Sequence, residues 1–165
     1  MKAWILYGPR DLRLEERELD VQSLEPDELY VETDYSSLST GTDRGNYEGA
    51  ERVPGAPDYP RWVGYNNAGT VKAVGSAVTR FKPGDRVFTL KPHQSAFIIK
   101  QSDMVVRIPD GVPSQDAAMT YLYHLGFHAL RTGEYSPGEN VAVVGTGILG
   151  LTTIALARVL SLIHI

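Results

Sequence analysis

The run Val141-Ala142-Val143-Val144-Gly145-Thr146-Gly147-Ile148-Leu149-Gly150 limits what this chain can fold into more than any other segment. Its apolar, β-branched start predicts a buried parallel strand. The Gly-x-Gly-x-x-Gly spacing then suits a tight turn at Gly145, a bare backbone at Gly147 and close helix-strand packing at Gly150, with a helix over 148–160. A helix beginning there offers amide N–H groups and the positive end of its dipole to a pyrophosphate. Gly145, Thr146, Gly147, Ile148, Leu149 and Gly150 are therefore the expected contacts of a dinucleotide, NAD or NADP. The competing reading is a glycine-rich strand-to-helix turn without a ligand. The residue that separates NAD from NADP stands ~20 positions after the motif. Only His164 and Ile165 remain there, so the preference is unreadable.

With 165 residues, 42% of them hydrophobic, the chain can bury one ordinary core or slightly more. Sixteen Lys and Arg oppose twenty Asp and Glu, for a net charge of −4 and no basic block. Nucleic acid and membrane partners are not expected. No apolar stretch reaches the ~20 residues of a membrane span, and Met1-Lys2-Ala3-Trp4 has no secretory-leader pattern, so a cytoplasmic location is expected. The absence of cysteine removes disulfides, thiolate nucleophiles and sulfur ligands for zinc.

Short apolar or alternating runs at 1–7, 12–16, 28–33, 68–74, 86–90, 95–99 and 104–108 predict strands. Gly8-Pro9-Arg10-Asp11 and Lys82-Pro83-Gly84-Asp85 predict turns between them. This spacing suggests a small barrel or sandwich. Beyond Pro109-Asp110-Gly111 a helix is predicted, with Ser114 as its N-cap and its run passing Ala117, Leu122 and His128. The expected domains are 1–112, a connecting helix and loop over 113–138, and the start of a dinucleotide-binding domain over 139–165.

This order of signals resembles the medium-chain dehydrogenase/reductase superfamily. The resemblance covers nearly the whole chain and is carried by Met1-Lys2-Ala3, Thr40-Gly41-Thr42-Asp43, Gly64-Tyr65-Asn66, Ala68-Gly69-Thr70-Val71, Ile108-Pro109-Asp110-Gly111 and Asp116-Ala117-Ala118. Its most diagnostic block is Val74-Gly75-Ser76-Ala77-Val78-Thr79-Arg80-Phe81-Lys82-Pro83-Gly84-Asp85-Arg86-Val87. It implies a mixed β and α/β class: a GroES-like, partly open β-barrel binding substrate, followed by the first βα unit of a Rossmann domain. Ser39-Thr40-Gly41-Thr42-Asp43, Gly64-Tyr65 after Trp62-Val63, and Lys91-Pro92-His93 resemble, loosely, the zinc-lacking bacteriochlorophyllide-dehydrogenase-like branch.

Departures from the zinc pattern shape the chemistry. Catalytic zinc needs three protein ligands and an open position. Thr40 stands where relatives often carry Cys, and Tyr65-Asn66 where zinc enzymes carry His-Glu. Met119-Thr120-Tyr121 offers no carboxylate, and the four-cysteine structural lobe is missing, so no zinc is expected. His124 and His128 share a helical spacing that two ligands could use, but lack a visible third; ordinary packing is the competing reading. Hydride transfer still needs a proton donor for the developing oxyanion. The resemblance places the family's relaying hydroxyl at Thr42, and Tyr65 is the second candidate. The alternatives are a polar turn capped by Asp43 and an aromatic that only lines the pocket. Thr40, Asp43, Asn66 and His93 are expected around the substrate, with a surface role the alternative for His93. Tyr59 and Trp62 either border a pocket for a flat ligand or cover the fold. Where relatives place a nicotinamide-side threonine, this chain has Leu125.

Two function classes follow. The first is the N-terminal fragment of an NAD(P)-dependent, zinc-independent oxidoreductase for an alcohol, ketone or conjugated carbonyl, homo-oligomeric at full length and inactive as this piece alone. The second is a dehydrogenase-derived cofactor-binding scaffold or GroES-like interaction module without turnover. Leu160-Ser161-Leu162-Ile163-His164-Ile165 is what CTG TCT CTT ATA CAC ATC would encode, a string resembling a transposon-end sequencing adaptor. The expectation is a non-native tail at 161–165 and no role for His164.

Overall fold

Alternation in the first half of the chain is used to build antiparallel sheet. The structure is a computed structural model that describes residues 1–49, 58–136 and 138–160. The tail 161–165, including His164, lies outside them. The elements in chain order are β1 (Lys2–Gly8), β2 (Asp11–Glu16), β3 (Glu28–Ser36), α1 (Thr40–Glu48), β4 (Arg61–Trp62), β5 (Asn67–Val74), β6 (Arg86–Thr89), β7 (Ala96–Lys100), β8 (Val105–Arg107), α2 (Ser114–Ala117), α3 (Thr120–Thr132) and α4 (Ile148–Val159). Two compact units result, Met1–Ala118 and Met119–Ile165.

In the first unit one sheet has the order β2-β1-β4 and the other β7-β3-β5-β6-β8, all neighbours antiparallel. An isolated bridge pairs Ala3 with Gln94, and the Trp4 and Ser95 amides donate to the His93 and Lys2 carbonyls at 3.1 and 2.8 Å. These bonds stitch β1 to the stretch before β7 and curl the sheets into the expected partly open barrel. Leu29, Val31, Val71, Phe81, Val87, Phe97, Ile99 and Val105 form its core. Each such buried side chain contributes about 1.5–3 kcal/mol relative to exposure.

The mixed class is as expected; several local elements are not. Ser39-Thr40-Gly41-Thr42-Asp43 is the head of a nine-residue helix rather than a free-standing turn. The helix predicted from Ser114 is divided into α2 and α3, and Pro113, not Ser114, is the N-cap of α2. The Ser114 hydroxyl instead donates to Asp34 Oδ2 at 3.2 Å. The strand predicted at 141–144 does not form: among the described residues it pairs with nothing, and Val144 is 100% exposed. A parallel strand draws its hydrogen bonds from neighbouring strands, and among the described residues none lies beside this one.

In the second unit Leu130 and Ala157 are buried together, with Tyr135, Val141 and Leu156 packed on them. The Thr152 hydroxyl lies between α3 and α4, 3.3 Å from the Leu122 carbonyl and 3.0 Å from that of Leu149. No helix among the described residues is long and apolar enough to cross a membrane.

Candidate functional site

The head of α1 fixes one carboxylate. Ser39 has extended backbone angles and caps the helix, and its N–H donates to Asp43 Oδ2 at 2.6 Å while the Asp43 N–H donates to the Ser39 carbonyl at 2.8 Å. This reciprocal pair holds Asp43 in place as a capping box holds its acid.

Opposite it stands His93, held from three sides. Its N–H donates to the Val63 carbonyl at 2.8 Å, and its own carbonyl accepts the Trp4 N–H at 3.1 Å. Gly64, at φ +86°, leaves room for the ring; a Cβ there would run into the imidazole. Both the left-handed conformation and this approach require glycine. His93 Nδ1 lies 3.0 Å from Ser36 Oγ at the end of β3, and Nε2 lies 3.6 Å from Asp43 Oδ2. The latter is an ion-pair distance and too long for a hydrogen bond. The side chains of His93 and Asp43 are 8% and 13% exposed. His93 Nε2 and Asp43 Oδ1 are buried with no hydrogen-bond partner among the described residues.

Ser36, Asp43 and His93 face a cavity of about 540 Å³. Among the described residues Arg44 is the other charged side chain on its lining; Trp4, Leu6, Leu12, Leu38 and Val63 give apolar wall, and Tyr47 adds an aromatic ring with a hydroxyl. Of the sequence candidates, the structure thus brings Asp43 and His93 together. Thr40 is exposed at the first position of α1, and Thr42, two residues on, is half-buried. Tyr65 is also half-buried, and neither it nor Thr42 is among the lining residues. Asn66 is 1% exposed, and among the described residues neither end of its side-chain amide has a hydrogen-bond partner. Sequence reading passed over Ser36. A serine closing a strand carries no local signal; only the crossing of β3 with the Pro92-His93 stretch selects it.

In the second unit the glycine motif forms a turn of the expected kind. Gly145 has φ +98°, and a Cβ on Gly150 would collide with the Gly145 carbonyl oxygen. Gly147 is the N-cap of α4, with open space where a Cβ would stand and no side-chain cap on the helix. The first-turn amides of α4 are therefore available to an anion. His124 and His128 stack with centroids 6.4 Å apart, and His128 Nε2 lies 3.4 Å from Thr132 Oγ1. Among the described residues no group of three His, Cys, Asp or Glu could hold a metal ion.

Residues 25–123 match the family described as the alcohol dehydrogenase GroES-like domain. Sorbitol dehydrogenase of Bacillus subtilis (strain 168) is 27% identical, covering 96% of this chain and 52% of its own length. Galactitol-1-phosphate dehydrogenase from Escherichia coli shares the fold with a TM-score of 0.82 at 23% identity, covering 97% of this chain and 53% of that one. The Escherichia coli quinone oxidoreductase complexed with NADPH gives a TM-score of 0.72 at 26% identity, covering 97% and 50%. The chain spans about half the length of the curated relatives it matches.

Proposed function

Because the chain belongs to the alcohol dehydrogenase GroES-like family, within the medium-chain dehydrogenase/reductase superfamily, we propose that in a protein of its relatives' full length it serves a zinc-independent, NAD(P)-dependent oxidoreductase. The observation that carries the cofactor reading is the glycine turn: positive φ at Gly145, an unobstructed Gly147 at the head of α4 and Gly150 tucked against the turn. Backbone amides of 145–150 would hold the pyrophosphate. The quinone oxidoreductase relative with NADPH and the dehydrogenase relatives support the same reading. When bound, the nicotinamide supplies or accepts a hydride.

This chain's part is to bind and orient an alcohol, ketone or conjugated carbonyl and to stabilise charge on its oxygen. We assign proton donation to Thr42 and Tyr65, and assign Thr40, Asp43, Asn66 and His93 to the surroundings of the substrate. The donor set argues against catalytic zinc. Thr40, Tyr65 and Asn66 offer neither thiolate nor imidazole, and among the described residues no third His, Cys, Asp or Glu joins His93 and Asp43.

Full-length protein carrying this chain should oxidise NADH or NADPH with a panel of ketones and quinones, unaffected by prior chelation. Gly145→Val, which forces a β-branched residue into left-handed backbone, should abolish dinucleotide binding. Chelator-sensitive turnover would remove the zinc-independent part; binding without turnover across the panel would leave the scaffold reading standing.

A further inference from the structure

Ser36, His93 and Asp43 stand in the order hydroxyl, imidazole and carboxylate. Ser36 Oγ lies 3.0 Å from His93 Nδ1, inside the ~2.6–3.2 Å over which a base can take a hydroxyl proton. On the far side of the ring Nε2 faces Asp43 Oδ2 at 3.6 Å, and it has no hydrogen-bond partner among the described residues. A lone pair on Nε2 would meet an electron-rich carboxylate. The proton therefore belongs on Nε2, and Nδ1 is left to accept from the Ser36 hydroxyl.

Exposure divides the three. Ser36 is exposed at the end of β3 and lines the cavity, whereas the side chains of His93 and Asp43 are largely buried. The register of β3 against β5 slips between Thr33 and Tyr35, immediately before Ser36. Such a bulge re-aims the side chains beside it. What the cavity offers a ligand is thus the Ser36 oxygen, with the imidazole and the carboxylate acting from behind it.

We propose that Ser36 is a nucleophile, His93 its base and Asp43 the residue that positions the base, and that this unit hydrolyses neutral esters of short apolar carboxylic acids. The arrangement is one of roles and geometry, independent of fold and of sequence order. Ser36 Oγ bonds to the acyl carbon while its proton passes to His93 Nδ1, and the imidazolium so formed faces the Asp43 carboxylate. The adduct collapses, the bond from the acyl carbon to the alcohol oxygen breaks, and Nδ1–H returns the proton to that oxygen. Water then repeats the sequence on the acyl-serine: its proton goes to Nδ1, its oxygen to the acyl carbon, and Ser36 leaves reprotonated. The sum is ester and water in, acid and alcohol out. Trp4, Leu6, Leu12, Leu38 and Val63 receive the acyl chain, in a cavity of about 540 Å³. Arg44, whose Nε is held by Glu48 at 3.0 Å, and the Tyr47 hydroxyl bring donors for the oxyanion to the same lining. They are side chains rather than fixed backbone amides, so turnover is slow by the standard of dedicated hydrolases.

The test needs no cofactor. The 165-residue chain is given p-nitrophenyl butyrate, and separately diisopropyl fluorophosphate, from which a serine nucleophile displaces fluoride. Hydrolysis should exceed that of Ser36→Ala on the order of 10²-fold, the lower end of what a positioned base contributes, and mass spectrometry of peptides should find one phosphoryl adduct, on Ser36. Ser36→Ala changes an exposed side chain and should keep the parent's circular dichroism. Asp43→Asn retains an acceptor for the Ser39 amide and should lower kcat with KM unchanged, because the carboxylate acts through the ring and not on the ester; its loss should be smaller than that of Ser36→Ala. His93→Gln should suppress labelling of Ser36. Ser36→Ala hydrolysing as fast as the parent, an adduct on another residue or on none, or a kcat unchanged in Asp43→Asn would overturn the proposal. Each of these results leaves the dinucleotide reading untouched, and a failure of hydride transfer in the full-length protein leaves this one untouched.

Discussion

Val71 and Val144 are the same residue in two parts of the molecule with opposite fates. Val71 lies in β5 between β3 and β6, is 0% exposed, and donates its N–H to the Asp85 carbonyl at 2.9 Å. Val144 ends an apolar run of equal promise and is fully exposed. The barrel contains its own strand partners, so local preference and tertiary pairing agree there. In the second unit only the part of the motif that needs no neighbour strand is organised, the turn and the helix behind it. Strand preference reports how well a residue fits a sheet that already exists.

The largest test of this contrast is amide exchange. The Val71 amide should exchange on the order of 10³-fold more slowly than that of Val144, since its opening approaches the global unfolding free energy and the other needs no opening. Measured by NMR on the 165-residue chain, comparable protection at both positions would show that 141–144 is paired and remove the distinction. A second test compares side chains. Leu29→Ala empties a position that is 0% exposed in the barrel core and should cost about 2–5 kcal/mol in urea unfolding. Val144→Ala should stay within about 0.5 kcal/mol. A large loss from the second substitution would mean Val144 is covered.

The same physics explains what could be read from the residues alone. The hairpin of β1 and β2, the long strands β3 and β5, and α4 were legible, because alternation and the glycine motif report on burial directly. The helix α1 was not. Thr40-Gly41-Thr42-Asp43-Arg44-Gly45-Asn46-Tyr47-Glu48 contains two glycines and weak helix formers, and Asn46 is its one buried residue. Its start is fixed by the Ser39-Asp43 exchange of hydrogen bonds, which on paper looks the same as a polar turn. The two-residue β4 is too short for any periodicity, and its existence depends on Ile5 and Leu6 opposite it. Asp43 and His93 were named as candidates from their places in motifs. Their meeting with Ser36 was not legible, because residues 36, 43 and 93 come together only when β3, α1 and the chain before β7 converge.

The smallest effect belongs to the barrel's surface, where position in the fold matters less than local charge. Arg13 and Asp11 form a two-pronged pair, Nε to Oδ1 at 2.8 Å and Nη2 to Oδ2 at 2.7 Å, with both side chains about half exposed. The Arg13 hydrogen bonds, reinforced by its charge, hold the Asp11 carboxyl below its usual range. A carboxyl lowered on folding adds stability above its ordinary value near 3.9, and that contribution is lost as pH falls through the depressed folded value. Arg13→Met should therefore be less stable than the parent at pH 7, with the gap narrowing steadily below pH 4. Glu15, lowered chiefly by the Tyr7 hydroxyl and Arg17, adds a smaller share through its weaker interaction with Arg13. Whatever gap persists at pH 2 measures the contact of the Arg13 guanidinium with the Tyr7 ring, 4.5 Å from its centroid, which does not titrate in this range. Salt at 1 M should shrink the pH-dependent part and leave the rest. If instead the gap widens on acidification, Arg13 acts through net charge on the whole barrel and not through Asp11.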